Sequence, residues 1–345
     1  MSIRDLFHLL GVTVLLGFIL HVGREVLVPA VVAIMLAYIT VGAVDALRRI
    51  PVLARAPGWA ITIVALAVLG TGLGLIGLLG AANLRSLALV LPTYAENLQR
   101  IADDLARPFG ATGTSLWEGF QAISFDWLEP RAVAIPILNA LASAGAYIVL
   151  VVTYVVFLLP ERALMPKKLA LVFGEGEESA RMAALVTRIN GQITSYIFAK
   201  SAINAALGAL SFAILLVLGV EFAVFWAVVI ALANYVPYVG SLVAVGLVLL
   251  QVLVQTASIE TTILALVLLT IAQLYVANWL EPRVLSRSTN LSPFVVLLSL
   301  VVWAALWGLP GAILAVPLTS VLKIVLASAP QTRGLAILMS RDGQV

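Results

Sequence analysis

The stretch Asn234-Tyr235-Val236-Pro237-Tyr238-Val239-Gly240 interrupts an apolar run over residues 222–256. A second stretch, Trp307-Gly308-Leu309-Pro310-Gly311, interrupts the apolar run over residues 292–328. Each run thus consists of two apolar arms of about 15–18 residues, whereas a helix that crosses a bilayer needs about 20. Proline removes a backbone donor and glycine loosens the helix, so each break leaves polar backbone groups unpaired. Inside a membrane such backbone survives only where it is buried in protein or lines a wet cavity, so both breaks are predicted to be functional.

The composition places the chain among membrane proteins. Of 345 residues, 62% are hydrophobic and only 11% are charged, against about 25% charged in soluble domains. With no cysteine and only His8 and His21, disulfides and thiolate sites are excluded and a histidine metal cluster is not expected. The sequence also shows no phosphate-binding loop and no nucleophile–base pair. We therefore predict an all-α polytopic membrane protein with no enzymatic activity, cofactor, metal or nucleic-acid partner.

The apolar runs predict about six full spans in addition to the two broken segments. Placing the N-terminus in the cytoplasm leaves five of the 20 lysines and arginines outside, together with nine of the 17 acidic residues, as the positive-inside rule requires. Both termini are then cytoplasmic, and the broken segments become re-entrant hairpins that dip in from opposite sides. A full crossing by the first broken segment would instead create a cytoplasmic loop without a basic residue. The predicted spans are 6–22, 26–44, 59–82, 136–159, 201–220 and 261–280.

This topology predicts a transport core made of two inverted units, residues 201–256 and 261–328, whose hairpin tips meet near the midplane. We expect a scaffold or oligomerisation part over 1–135, a fourth span with a cytoplasmic amphipathic segment over 136–200, the core over 201–328 and a cytoplasmic tail over 329–345. Apolar stripes at helical spacing predict amphipathic interfacial helices in the polar segments 83–135 and 160–192. The stripes are Leu91, Ala95, Leu98, Ile101 and Leu105; Trp117, Phe120, Ile123 and Trp127; and Met182, Leu185, Ile189 and Ile193.

The C-terminal half resembles the autoinducer-2 exporter (AI-2E) family of bacterial membrane proteins. The resemblance rests on three strings: Ala231-Leu-Ala-Asn-Tyr-Val-Pro-Tyr-Val-Gly240, Asn278-Trp-Leu-Glu-Pro-Arg-Val-Leu285 with Leu291-Ser-Pro293, and Trp307-Gly-Leu-Pro-Gly-Ala-Ile-Leu-Ala-Val-Pro-Leu318. It implies a carrier in the bacterial cytoplasmic (inner) membrane, described in the family as an exporter of a small furanosyl signal, as a permease or as a sodium/proton antiporter. It also implies a homo-oligomer, plausibly a pentamer, with elevator-like movement.

The chain departs from the family pattern at three positions. Ser241 stands where a proline is usual, Ser292 where a histidine is frequent, and Ser286 where a glycine is common. These changes leave the backbone breaks intact. They argue against a mechanism that needs a titrating histidine at position 292.

The candidate site residues comprise a possible ion-coupling pair, several amides and the residues predicted to line the solute pathway. Asn234 could bind a solute hydroxyl or simply cap its helical arm, and Glu281 with Arg283 could couple transport to an ion or form a structural pair. The amides of Asn204, Gln251 and Gln255 could line a polar path or join helices. The residues predicted to line the solute pathway are Asn234, Tyr235, Pro237, Tyr238, Gly240, Gln273, Asn278, Pro310 and Gly311.

Together these features predict a secondary transporter that moves a small polar solute by alternating access, coupled to H⁺ or Na⁺ or uncoupled. The alternatives are a Na⁺/H⁺ antiporter, a channel and a non-transporting scaffold. An antiporter needs a titratable carboxylate at depth, for which Glu281 is the candidate. A channel needs a continuous polar pore, whereas two opposed hairpins indicate a moving gate.

Overall fold

The computed structural model describes residues 3–50, 55–106, 130–174, 176–285 and 290–344, and the regular structure in these ranges is helical. The helix Ile259–Leu285 contains one π-helical turn, Val276–Leu280. The ten helices of the described ranges are α1 Ile3–Val22, α2 Arg24–Leu47, α3 Gly58–Ala106, α4 Pro130–Phe173, α5 Glu177–Val217, α6 Ala223–Ala233, α7 Val239–Thr256, α8 Ile259–Leu285, α9 Pro293–Ser328 and α10 Arg333–Met339.

Five helices of the described part are long and apolar enough to cross a membrane, namely α2, α5, α7, α8 and α9. Three shorter apolar helical stretches accompany them: Gly58–Gly72, Tyr147–Glu161 and Ala223–Ala233. The predicted class, an all-α polytopic membrane protein, agrees with this architecture. The number of full spans, the re-entry of the broken segments and the predicted domain boundaries stay predictions.

Three helices continue well beyond the predicted spans, one of them the 44-residue helix α4, which contains the fourth predicted span, 136–159. The third span, predicted at 59–82, is part of the 49-residue helix α3, and the fifth, predicted at 201–220, is the end of the 41-residue helix α5. The stripes that begin at Leu91 and Met182 are therefore continuations of these helices and not separate interfacial helices. The stripe from Trp117 to Trp127 lies outside the described residues.

The chain divides into two compact units. The first unit holds α1, α2 and α9, and its apolar clusters join these helices and the middle of α4. The second unit holds the polar half of α3, the end of α5, and α6, α7 and most of α8. The first unit comprises Met1–Leu66, Tyr147–Ser201 and Val284–Val345, and the second comprises Ala67–Ala146 and Ala202–Arg283. Each unit thus contains one of the two broken segments.

Candidate functional site

The first broken segment, in the second unit, folds back into a helical hairpin. Helix α6 ends at Ala233 and α7 begins at Val239. At the open end of the hairpin, Gln255 Nε2 donates to the Gly219 carbonyl at 2.9 Å, and the Glu221 N–H donates to Gln255 Oε1 at 2.8 Å. An unbroken helix would separate these residues by about 50 Å. The chain therefore leaves the hairpin at the level where it starts, as it would both in a re-entrant hairpin and in a pair of full crossings, so the re-entry stays a prediction.

The tip of this hairpin is a tight, strained turn. The Val239 N–H donates to the Pro237 carbonyl at 2.6 Å, and Tyr238 between them has φ 60° and ψ −56°, the geometry of the rare γ-turn. Gly240 then passes directly against the end of α6, where an added Cβ would lie 1.8 Å from the Ala233 carbonyl oxygen. Only glycine allows the two arms to approach this closely.

A chain of polar side chains runs from this tip to α5. The Ser241 hydroxyl donates to Asn234 Oδ1 at 2.9 Å, and Asn234 Nδ2 donates to Asn204 Oδ1 at 2.8 Å. Asn204 is only 2% exposed, and its Nδ2 has no acceptor in the described protein. Two more buried nitrogens of the second unit share this condition, Trp226 Nε1 and Gln273 Nε2. All three atoms are hydrogen-bond donors.

Helix α3 braces the open end of the first hairpin. The Tyr94 hydroxyl donates to Glu221 Oε2 at 2.7 Å and accepts from Gln251 Nε2 at 2.7 Å. One turn later, Asn97 Nδ2 donates to the Val254 carbonyl at 2.9 Å. Burial first, and then the bond to the Glu221 carboxylate, raise the pKa of Tyr94 from 10.0 to about 12. The polar C-terminal part of α3 thus contacts both ends of the hairpin at its base, the segment before α6 and the end of α7.

The second broken segment, in the first unit, also folds back on itself. The break lies at Gly308, whose φ of 65° and ψ of −142° are open to glycine but strained for other residues. The indole Nε1 of Trp303 donates to Thr319 Oγ1 at 3.0 Å, although 16 residues of straight helix would span about 24 Å. At the tip, a Cβ on Gly311 would lie 1.9 Å from the Trp303 carbonyl oxygen. Pro310 is half-buried beside it.

The N-terminal helices hold the second hairpin. Trp307 Nε1 donates to the Leu20 carbonyl of α1 at 2.9 Å. Trp307 also forms a buried apolar cluster with Val28 of α2 and Leu314 of the second arm. The α1–α2 pair, which joins at Gly23 as predicted, therefore supports one face of this broken helix.

The C-terminal segment docks at the base of the second hairpin. Ser292 caps α9, since its Oγ accepts from the Val295 N–H at 3.3 Å, and its own N–H donates to the Met339 carbonyl at 3.0 Å. Asn290 Nδ2 donates to Asp342 Oδ1 at 2.6 Å, which lowers the pKa of that carboxyl. Lys323 Nζ donates to the Asn290 carbonyl at 2.8 Å. Ser292 thus has a clear capping role.

The predicted ion-coupling residues lie at the end of α8. The Arg283 guanidinium stacks over the Trp279 ring, 3.6 Å from its centroid, and Glu281 is half-buried at the end of the π-helical turn. Asn278 is exposed, and its Nδ2 donates to the Leu274 carbonyl of its own helix at 3.0 Å. In the residues described, no three His, Asp or Glu side chains come together as a metal site.

The first tip brings together Asn234, Tyr235, Pro237, Tyr238 and Gly240, and the second tip holds Pro310 and Gly311. Gln273, Asn278, Glu281 and Arg283 lie along α8. Residues outside the predicted pathway set also belong to the arrangement, among them Tyr94 and the amides of Asn204, Gln251 and Gln255, for which the sequence analysis left a polar path and a helix contact open. Asn204 could be found from the sequence because it is a lone amide in an apolar span. Tyr94 could not, because no local sequence pattern links it to the hairpin that it contacts.

Comparison with known proteins assigns the family. A family model described as "AI-2E family transporter" matches residues 10–331. The chain belongs to this family. This AI-2E protein is 30% identical over 335 residues to the "AI-2 transport protein TqsA" of Escherichia coli (strain K12), covering 96% of this chain and 94% of that protein. It is 31% identical over 282 residues to the "Putative transport protein YhhT" of the same strain, covering 81% and 79%. The predicted resemblance is confirmed, and the chain is a multi-pass membrane protein of a family of transport proteins.

Proposed function

We propose that this protein is a secondary transporter of the bacterial inner membrane that carries a small polar solute by alternating access. The observation that carries the proposal is the first hairpin, a backbone break whose tip is hydrogen-bonded through Asn234 to the buried amide of Asn204 on α5, and this amide keeps one polar atom without a partner. A polar group without a partner is costly in an apolar environment. It is retained where it binds something, and in a transport-protein family the fitting occupant is the solute.

The binding elements would be the first tip, through Asn234 and the backbone of Pro237 to Gly240, together with Tyr235 and Tyr238 as surfaces for stacking. We further propose that the second tip, at Pro310 and Gly311, offers backbone groups in the same way. Discontinuous helices of this kind bind solutes in several transporter folds because their free N–H and C=O groups face a cavity. The furanosyl signal that the family resemblance implies is one candidate solute, and TqsA is named as an AI-2 transport protein.

Movement would come from the hairpins relative to their supports. The first hairpin is joined to α3 by hydrogen bonds at its base, while its tip touches α5 through Asn234 and Asn204. The base is held by hydrogen bonds of Tyr94 and Asn97, whereas a hydrogen bond from Asn234 to Asn204 joins the tip to α5. We therefore expect the tip to open while the base stays fixed.

Flux in proteoliposomes tests the proposal. The purified protein is reconstituted, and uptake of a panel of small polar solutes is measured with and without imposed Na⁺ and H⁺ gradients, with protein-free vesicles as the control. Saturable flux of a solute supports a carrier, and dependence on one gradient identifies the coupling ion. Non-saturating flux would indicate a channel, proton flux driven only by Na⁺ an antiporter, and no flux a scaffold.

A further inference from the structure

Asn290 joins three parts of the first unit. Its carbonyl accepts from Lys323 Nζ at 2.8 Å and from the Arg341 N–H at 3.3 Å. Its Nδ2 donates to Asp342 Oδ1 at 2.6 Å and to the Gln344 carbonyl at 3.0 Å. An ionised carboxylate and a carbonyl only accept, so the amide nitrogen of Asn290 must face them. Asn290 thus connects the start of the second hairpin, its second arm and the C-terminal segment.

Next to Asn290, the chain forms a short antiparallel pairing. Leu291 and Ser340 make an isolated β-bridge, and they are 7% and 8% exposed. We call the contacts of residues 290–292 with residues 339–344 the base clasp, since they tie the start of the first arm of the hairpin to the segment that follows its second arm. The closed clasp covers both side chains of the bridge.

The two ends of the second hairpin are held in different ways. Near its tip, Trp307 packs with Val28 of α2 and Leu314 in a buried apolar cluster. At its base, residues 341–344 are exposed, and the clasp is held by hydrogen bonds. Water replaces the partners of exposed hydrogen bonds at little cost, whereas it does not replace a buried apolar contact. Exposed, hydrogen-bonded segments are the parts of a protein that open most readily, so the base is the end that releases.

The base of the first hairpin is built differently. Its hydrogen bonds come from Tyr94, Gln251 and Asn97, all of which are buried. We propose that the base clasp of the second hairpin opens and closes during transport. The start of the first arm then moves away from the C-terminal segment, while the cluster around Trp307 stays packed. This inference rests on the proposed function and assigns a moving part to it.

A disulfide between positions 291 and 340 tests the proposal because it locks the clasp reversibly. Backbone hydrogen bonds of 3.0 and 3.3 Å join the residues on either side of the bridge, which makes Leu291 and Ser340 a non-hydrogen-bonded pair. Such pairs bring the Cα atoms to about 4.5 Å, a distance that a disulfide spans. The chain has no cysteine, so the double variant Leu291→Cys/Ser340→Cys carries no other thiol.

Flux in proteoliposomes is measured with the double variant after oxidation by copper phenanthroline and again after reduction by dithiothreitol. The probes are radiolabelled D-ribose, lactate and glycine, and the crosslinked fraction is read from the thiols that remain for maleimide. Oxidation should lower flux about tenfold at about 90% crosslinking, because the disulfide prevents opening in those chains, and reduction should restore it. Leu291→Cys and Ser340→Cys alone are the matched controls, and neither should respond to oxidation.

The substitution Asp342→Ala separates release of the clasp from structural damage. It removes one acceptor of the Asn290 amide at an exposed position, so the clasp opens more readily. Because opening is a step of transport, flux should stay at or above the wild-type rate, whereas a merely structural clasp predicts lower flux. This variant decides the question should the reduced double variant carry no flux.

The inference fails if the oxidised and reduced double variant transport equally at high crosslinking, if oxidation forms no disulfide, or if Asp342→Ala lowers flux. In each of these cases, flux of a probe by the wild type would leave the proposed transport function standing. A wild type that carries none of the probes would overturn that function, and the role of the clasp in transport with it.

Discussion

Adding one methyl group at Gly240 should open the tip of the first hairpin. The alanine Cβ would lie 1.8 Å from the Ala233 carbonyl oxygen and 2.8 Å from its carbonyl carbon, whereas real contacts begin at 3.0 Å. The two backbones must therefore separate by about 1.2 Å. Both clashing atoms belong to the backbone, so no rotamer change relieves them. Overpacking costs about 1–3 kcal/mol, and we expect the loss of stability caused by Gly240→Ala to be at or above the upper end of this range.

The shift also acts on the candidate site, because Ser241 follows directly and its 2.9 Å bond to Asn234 Oδ1 would lengthen. Solute flux in proteoliposomes should fall at least tenfold, and the thermal midpoint should drop. The matched control is Gly246→Ala on the same helix, where an added Cβ meets nothing within 4 Å. That change should be neutral or stabilise by up to about 1 kcal/mol, from helix propensity. Wild-type flux and an unchanged midpoint in Gly240→Ala would refute the reasoning.

Three further predictions concern contacts around the hairpins. Trp303→Phe and Thr319→Val should each lower stability, and a double-mutant cycle measured by thermal unfolding should give a coupling of about 1 kcal/mol; additive effects would mean that the two arms do not touch. Tyr94→Phe should remove a tyrosine that ionises near pH 12, which tyrosinate absorbance would show. Since burial and the Glu221 bond raise the pKa of Tyr94 from 10.0 to about 12, its contribution to stability is full below pH 10 and is lost as the pH rises through 12. Ser340→Cys, at a buried position, should react slowly with maleimide at neutral pH and faster after Asp342→Ala. The Asn290 bond lowers the pKa of Asp342 below 3.8, so the carboxylate is charged and bonded at neutral pH. Fast reaction of Ser340→Cys at neutral pH without the second change would contradict the docking.

The positions of the breaks could be predicted because they follow from local rules. Each break combines proline with glycine in one short stretch, and the α6–α7 turn and the non-helical Gly308 fall inside the two stretches first picked out. Single prolines such as Pro29 and Pro317 leave their helices continuous. The join at Gly23 falls between the predicted spans 6–22 and 26–44. The lengths of α3 and α5 could not be predicted, because a change from apolar to polar residues alters the surroundings of a helix without breaking its backbone.

The site could be predicted only in part. Asn234 stands three residues before Pro237 of the break, so its place at the tip follows from the sequence. Its partner Asn204 is 30 residues away, and the base contact between Gly219 and Gln255 spans 36. Such pairs form only when the hairpin has packed, and no local spacing encodes them. Arg283 is a local case, since its guanidinium stacks on Trp279, four residues earlier on the same helix, a spacing at which helical side chains are neighbours.

The central claim is that both tips lie inside the bilayer and that each hairpin starts and ends on one side. Single cysteines test this cleanly because the natural chain has none. A membrane-impermeant maleimide is applied from either side to Tyr238→Cys and Leu309→Cys at the tips, with Ala257→Cys and Ser328→Cys at the exposed bases as controls. We expect Ala257→Cys to react from outside, Ser328→Cys from the cytoplasm, and neither tip from the side opposite its base. Rapid labelling of a tip from that opposite side would contradict the account.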